Sequence, residues 1–225
     1  MLIAEVKLTF TTECLGTLPA NPDIFEEFIA SKREAGVDPE EVESLPSVAE
    51  DVQRGTTVFA RDENGKPHLW NYQVQGFLKE ACGGLQRVDA SEGYISGKLR
   101  AYKKIIDSLV FVFPRRILLV FPEGKEWKTP EDVKYCVRPL RAKTPQGERV
   151  SLIRSEMVPT GTQVTFTIEL LDSALLEAVE EWLDYGKYKG ISQWRNSGKG
   201  RFIYTLNILE GVRKPFKAKK AKGED

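Results

Sequence analysis

The sequence is poor in the residues that build metal centres and disulfide frameworks. It contains one histidine, and its three cysteines, Cys14, Cys82 and Cys136, are far apart and form no Cys-x-x-Cys pair. An odd number of separated cysteines is typical of a reducing compartment, and a single histidine leaves few ligands for a zinc site. We therefore expect neither a metal nor a cofactor.

A long apolar run and an excess of one charge are also missing. No eighteen apolar residues follow one another, and no basic segment precedes an apolar run near Met1, so neither a membrane span nor a signal peptide is expected. The 33 cations balance 33 anions, so no net field draws in nucleic acid. We expect a soluble, cytoplasmic protein without a membrane partner, whose binding face depends on local segregation of charge.

Such segregation is present along the chain. Residues 23–51 are acidic, whereas residues 187–222 contain eleven Lys or Arg and one Glu. Within the basic stretch, residues 186–202 form a predicted loop with four glycines, which allow positive φ and close approach to a ligand. Its cations suit phosphate, and Trp194 offers a flat face on which a base can stack.

Hydrophobic periodicity predicts an alternation of strands and helices. Leu2 to Phe10 alternate as a strand with one buried face, and Asn71 is expected to cap a helix that runs through Cys82. A second helix follows Asp172 or Ser173. The other predicted strands cover residues 57–61, 66–70, 109–113, 117–121, 135–141, 150–157, 164–170 and 202–208, with Arg115 and Arg116 at the tip of an exposed hairpin.

Strands before and after each main helix give a β-α-β-β-α-β order, which predicts an α+β fold with a ferredoxin-like antiparallel sheet. We expect a single domain over residues 1–212. A helical insertion is predicted at about residues 13–55, because Asp23 with Glu26 forms a capping box and Asp38-Pro39 starts a second helix. Residues 213–225 are predicted to be a flexible basic tail.

Three segments, in order, resemble the repeat-associated RAMP superfamily of CRISPR systems, especially the backbone subunits that line crRNA in effector complexes. Ala60 to Lys79 is similar to the family's strand-turn-strand that leads into a helix with a small-small-hydrophobic-Lys-Gly start, where Gly76 matches the glycine and Gln75 replaces the lysine. Arg149 to Leu170 resembles the passage of two strands around Pro-x-Gly-Thr. Gly190 to Phe202 resembles the glycine-rich loop near the C-terminus of the family, with its Gly-x-Gly-Arg-hydrophobic ending.

The resemblance implies a modified RNA-recognition-motif-like fold that binds the RNA sugar-phosphate backbone in a ribonucleoprotein of antiviral defence. Its implied partners are single-stranded, crRNA-like RNA and other CRISPR effector subunits or copies of this chain. The residues expected to contact RNA are those of the loop, the start of the first helix and the hairpin tip: Lys187, Lys189, Gln193, Trp194, Arg195, Lys199, Arg201, Gln75, Lys79, Arg115 and Arg116.

The chain differs from the family at both positions where relatives have a catalytic residue. Gly55 and Thr56 stand where some backbone subunits have a target-cutting aspartate, and Asp51 lies nearby in a predicted acidic helix. His68 lies in a predicted strand, whereas relatives that process precursor RNA use a histidine in an early helix. We therefore expect no catalytic residue and no enzyme activity.

Two alternative functions are compatible with the sequence. A solitary, virus-encoded relative would copy the shape of a subunit and disturb a host CRISPR complex, which the acidic insertion and the zero net charge suggest. A metal-independent endoribonuclease that processes guide RNA would use His68, or a pair such as Tyr188 and Lys189.

Overall fold

The computed structural model describes residues 1–20, 56–127, 129–144 and 147–216. The described part is a mixed α and β structure with three α-helices: α1 (Asn71–Leu85), α2 (Tyr102–Leu109) and α3 (Leu176–Tyr185). Its strands are β1 (Leu2–Phe10), β2 (Cys14–Leu15), β3 (Leu18–Pro19), β4 (Thr56–Val58), β5 (Ala60–Arg61), β6 (Pro67–Trp70), β7 (Val110–Phe113), β8 (Arg116–Leu118), β9 (Lys134–Thr144), β10 (Gly147–Val158), β11 (Gln163–Leu170) and β12 (Phe202–Glu210).

The central sheet has four antiparallel strands in the order β12-β1-β11-β7. The predicted first strand is confirmed, because every second residue of β1 from Leu2 to Phe10 is buried. Val6 lies opposite Phe166 of β11 on one side and Leu206 of β12 on the other. Because successive side chains of a strand point to opposite faces, this alternation places one face of the sheet against the core.

Two helices supply the other half of this core. The buried face of α1 includes Phe77 and Leu78, and that of α3 includes Val179 and Trp182. The Trp182 indole N–H donates to Ser96 Oγ at 2.9 Å, which satisfies its polar atom inside the core. Each large apolar side chain buried in this way stabilises the fold by roughly 1.5–3 kcal/mol.

Two smaller sheets flank the central one. β10 pairs with β9 along its whole length, which confirms the predicted hairpin, and also with β2 and β4. The third sheet has the order β5-β6-β8. The predicted single strand over residues 57–61 is wrong, since β4 and β5 belong to different sheets on either side of Phe59.

Two further details of the predicted elements are corrected. Trp70, not Asn71, is the N-cap of α1, and the Asn71 amide instead donates to the carbonyl of Val112 at 3.0 Å. The predicted exposed hairpin around Arg115 and Arg116 is also wrong. β7 pairs with β11 while β8 pairs with β6, so the turn between β7 and β8 links two sheets.

Parts of the predicted insertion and tail lie outside the described residues. These are residues 21–55, with both predicted helix starts, and residues 217–225. The described beginning of the insertion forms the short strands β2 and β3. In the described beginning of the tail, Arg213 pairs with Glu180 of α3 and Phe216 packs against the core.

Candidate functional site

The glycine-rich loop between α3 and β12 has a closely folded backbone. Gly190 and Gly200 adopt φ values of +72° and +71°, and the Ile191 N–H donates to the Gly200 carbonyl at 2.9 Å. Gly200 in turn donates its own N–H to the Glu13 carbonyl at 2.8 Å. The two glycines allow two stretches of backbone to touch where a Cβ would collide, so they set the shape of the loop.

Gln193 anchors the centre of the loop to the strands beneath it. Its amide group donates to the Gly16 carbonyl, to Thr57 Oγ1 at 2.7 Å and to Ser155 Oγ at 3.0 Å. Its carbonyl oxygen accepts a hydrogen bond from Arg138 of β9 at 3.1 Å. Gln193, predicted to contact RNA, is therefore engaged with protein and holds the loop in place.

Trp194 lies next to this anchor with a guanidinium against its ring. Its side chain is 37% exposed and its φ of 56° is in the left-handed region, which non-glycine residues rarely adopt. The Arg138 guanidinium carbon is 4.5 Å from the centre of the indole ring, within the range of a cation–π contact. Arg138, which is 9% exposed, thus supports an indole that remains partly open to solvent.

Carboxylates are paired with three cations of the loop, Lys187, Lys189 and Arg195. Arg195 forms an ion pair with Glu80 of α1, and Lys189 lies 3.8 Å from the same carboxylate. Lys187 donates to Asp184 at 2.5 Å. The pairing lowers the net charge of this face without covering it, because the paired side chains stay about a third to a half exposed.

Lys199 and Arg201 lie where the loop enters β12. Lys199 donates to Glu13 at 3.0 Å, and this hydrogen bond lowers the pKa of the Glu13 carboxyl. The Arg201 guanidinium lies against Gly198. Glu13 also lines an open cleft of about 460 Å³, whose lining includes Lys125 and Trp127.

The other predicted contact residues form two separate groups. Gln75 donates to the Val110 carbonyl at 3.2 Å, and Lys79 pairs with Asp107, so both lie on the side of α1 that faces α2 and β7. The guanidinium carbons of Arg115 and Arg116 lie 5.5 Å and 5.9 Å from the Trp70 ring centre. The residues predicted from sequence therefore do not form one contiguous contact cluster.

Sequence reasoning missed the residues that support the loop. Arg138, Glu80 and Glu13 lie 55, 115 and 186 positions from Gln193, Arg195 and Lys199, their respective partners. The sequence contains only a weak signal for these residues. Arg138 lies within the predicted strand at residues 135–141, and Glu80 directly follows Lys79, a predicted contact residue. Neither pattern identifies a partner so far away along the chain.

His68 is enclosed in the small sheet at 1% exposure. Its ring meets Trp70 edge to face, with 4.7 Å between the ring centres. Burial, together with the positive charge of Arg116, lowers the pKa of His68 to about 4. The predicted packed strand position is confirmed, and the imidazole is held neutral inside the fold.

The enclosed histidine predicts a pH-dependent stability. Because His68 has a pKa of about 4 in the folded chain and about 6.5 when unfolded, only the unfolded state gains a proton between these values. The free energy of unfolding should therefore be independent of His68 protonation above pH 6.5. It should fall by about 3 kcal/mol as the pH drops from 6.5 to 4, and His68 should lower it no further below pH 4. His68→Leu should remove this component in urea unfolding at pH 7 and pH 4. An unchanged pH dependence in the variant would contradict it.

The described residues provide no group of three or more His, Cys, Asp or Glu side chains that could hold a metal ion. Within the same ranges, no helix is long and apolar enough to cross a membrane. Burial raises the pKa of the Cys14 thiol to about 12 and that of Cys82 to about 11. These two thiols therefore lack the thiolate character of a nucleophile at neutral pH.

No protein-family model and no curated protein sequence matches the chain. Among solved structures, one similar chain is from the cryo-EM structure of the type III-B Cmr-beta bound to cognate target RNA. The similarity has a TM-score of 0.50 at 9% identity, and covers 93% of this chain and 61% of that one. A second is from a type IV-B CRISPR complex, with a TM-score of 0.47 at 11% identity, covering 96% of this chain and 94% of that one. At 9% identity, the first of these similarities concerns the fold alone.

Proposed function

We propose that this protein is a non-catalytic RNA-binding protein that resembles a backbone subunit of CRISPR effector complexes. The observation that carries the proposal is the glycine-rich loop, whose closely folded backbone presents five cations beside a partly exposed tryptophan. Such a surface suits the sugar-phosphate backbone of a single strand, with stacking on the aromatic ring. The partners we propose are crRNA-like RNA and either other effector subunits or copies of this chain, in the cytoplasm.

The topology of the central sheet supports the finer assignment of the fold. Taken in chain order, β1, β7, β11 and β12 are the first, second, third and fourth strands of this sheet, and they lie side by side as 4-1-3-2. Helices α1 and α2 lie between the first and second of these strands, and α3 lies between the third and fourth. The strand order and the placement of α1 and α3 match a ferredoxin-like or RNA-recognition-motif-like fold, to which α2 is an addition. Together with the motifs around Gly76, Gly161 and Gly200, this order supports assignment to the RAMP superfamily.

The enclosed histidine supports the non-catalytic part of the proposal. A general acid or base must reach a substrate proton and titrate near the working pH. His68 is 1% exposed and has a pKa of about 4, so it fits neither requirement. Tyr188, which is 72% exposed, and Lys189, which donates to Asn196 at 2.7 Å, are better suited to contact a strand than to act as a pair.

Titration of single-stranded RNA against a loop variant tests the proposal. Arg195→Gln with Lys199→Gln removes two phosphate contacts, so affinity should fall at least tenfold at low salt. The slope of log K against log salt should decrease by about 1.4, or 0.7 for each phosphate contact. Fluorescence anisotropy with a labelled oligonucleotide measures both quantities.

Two further variants sharpen the test. Lys7→Gln with Lys66→Gln makes the same change in net charge at exposed sites outside the loop, and should leave affinity within twofold. Glu80→Gln removes the carboxylate that competes for Arg195 and Lys189, and should tighten binding several-fold. The proposal fails if the parent chain does not bind RNA at low salt, or if the loop variant and its charge-matched control behave alike.

The pairing of the loop cations favours a second candidate function. A loop whose positive charge is partly offset by Glu80, Glu13 and Asp184 also suits a protein surface, as expected of a solitary mimic that binds and disturbs a CRISPR effector complex. Affinity capture from a cell that carries such a complex separates the two candidates. Recovery of effector subunits after nuclease treatment supports the mimic, while recovery of RNA alone supports the first proposal.

A further inference from the structure

β12 forms one edge of the central sheet. Within the part of the chain that the structure describes, β1 is its sole strand neighbour, and their register is regular from Phe202 to Ile208. With nine residues, β12 is longer than the average strand of a globular protein. An edge strand carries a row of backbone N–H and C=O groups that point away from its neighbour and can pair with another strand.

Two usual protections against pairing, charged residues and proline, are missing from most of this edge, and a shift of register occurs only at Leu209. From Phe202 to Leu209 the strand contains no charged residue and no proline, and its first charge is Glu210. Large apolar side chains are exposed along it, since Ile203 is 49% and Leu209 is 60% exposed. Long, uncharged edge strands of this kind pair with a further strand unless something covers them.

The sequence of the edge is complementary to itself. An antiparallel pair of identical strands places residues opposite each other at equal distances on either side of a two-fold axis. With the axis at Leu206, polar residues face polar ones, aliphatic face aliphatic ones, and an aromatic faces a β-branched residue. The opposed pairs are Thr205 with Asn207, Tyr204 with Ile208, and Ile203 with Leu209.

The charged side chains beside β12 are also balanced in number. A cleft of about 540 Å³ lies between α3 and the segment after β12, lined by Glu177 and Glu180 on one side and by Arg213 and Lys214 on the other. Tyr204 of β12 reaches this region, because its hydroxyl donates to the Glu180 carbonyl at 3.4 Å. Equal numbers of carboxylates and cations let two copies approach without net repulsion.

We propose that β12 pairs antiparallel with β12 of a second copy of this chain, with Leu206 at the two-fold axis. The two central sheets then form one continuous sheet, and the outward-facing backbone groups of β12 in each copy pair with those of the other. The cross-strand pairs at Tyr204 and Ile203 add side-chain contacts of the kind that stabilise antiparallel sheets. This interface is separate from the glycine-rich loop and does not rest on RNA binding.

Analytical ultracentrifugation of the nucleic-acid-free protein tests the interface. The parent chain should sediment as a dimer at micromolar concentration. Thr205→Lys with Asn207→Lys sets like charges opposite each other across the axis, and should raise the dissociation constant at least a hundredfold. Thr165→Lys adds a lysine to an exposed threonine of the inner strand β11 and should leave the dimer intact.

Disulfide trapping tests the register independently of those variants. In a Cys136→Ser background, protein with Thr205→Cys should cross-link to protein with Asn207→Cys when the two are mixed and oxidised. Each alone should stay uncross-linked, because residue 205 faces residue 207 of the second copy. A monomer at all concentrations, a dimer unaffected by the paired lysines, or cross-linking of either single variant alone would overturn the proposal.

Discussion

Arg61→Ala is expected to lower the free energy of unfolding at pH 7 by about 3–5 kcal/mol. Arg61 Nη2 lies 2.5 Å from Glu156 Oε1, and the Glu156 side chain is only 4% exposed. The other oxygen of this carboxylate accepts the Phe59 N–H at 2.8 Å, where the chain passes from β4 to β5. Removal of the guanidinium leaves a buried charge without its ionic partner, and this costs far more than the loss of a surface pair.

The loss in Arg61→Ala should depend on pH in a defined direction. Burial raises the pKa of Glu156 even with Arg61 in place, and removal of Arg61 raises it further. A raised folded-state pKa opposes folding only while the carboxyl is charged. The destabilisation should therefore be largest well above the folded pKa and shrink as the pH falls towards the unfolded value of about 4.3.

Two variants separate this account from a simple loss of packing. Arg61→Ala with Glu156→Gln should recover most of the stability, because a neutral amide oxygen still accepts the Phe59 N–H. A residual loss of about 1 kcal/mol is expected, since Arg61 also lies 5.1 Å from the Trp127 ring centre. Lys79→Ala breaks a more exposed pair with Asp107 and should cost under about 1 kcal/mol. Equal losses in the single and double variants would refute the ionic explanation.

Gly200→Ala should produce the second largest effect, a loss of about 2–4 kcal/mol together with at least tenfold weaker RNA binding. A Cβ at this position would collide with the carbonyl oxygen of Ile191, and the φ of +71° is unfavourable for alanine. Relief of the collision breaks the Ile191–Gly200 hydrogen bond and moves the loop that carries Trp194 and Arg195. Urea unfolding and RNA anisotropy measure the two consequences.

Two other glycines serve as matched controls. Gly65 has a similar φ of +74° but open space around its Cα, so Gly65→Ala isolates the backbone cost of about 1–2 kcal/mol. Gly97 has neither a positive φ nor a neighbour within 4 Å, and Gly97→Ala should be close to neutral. If Gly200→Ala costs no more than Gly65→Ala, the close contact with Ile191 does not hold the loop.

Much of the secondary structure could be predicted because it depends on neighbours in sequence. The alternation of Leu2 to Phe10 and the apolar face of residues 176–183 give a strand and a helix from local periodicity alone. Errors occurred where tertiary contacts override the local pattern. Residues 57–61 look like one strand, but the hydrogen bond from Phe59 to Glu156 lies at the point where the chain leaves one sheet and enters another.

The candidate site was predictable in part for the same reason. Glycines and cations that are close in sequence identify the loop, because the loop is a local element. The distant carboxylates that pair with its cations, Glu80 and Glu13, come from α1 and from the segment after β1, and the arginine behind Trp194 comes from β9. Their selection depends on the path of the whole chain.

The sequence by itself determined the order of the four central strands and of α1 and α3, their buried faces, the position of the loop and the small number of metal ligands. Each of these follows from composition or from spacing over a few residues. Only the tertiary structure decided that Glu80 pairs with Arg195 and Lys189, that Gln193 anchors the loop, and that β12 lies at an edge. These outcomes join residues tens to nearly two hundred positions apart. Contacts at such distances arise from packing of the complete fold, which no local pattern encodes.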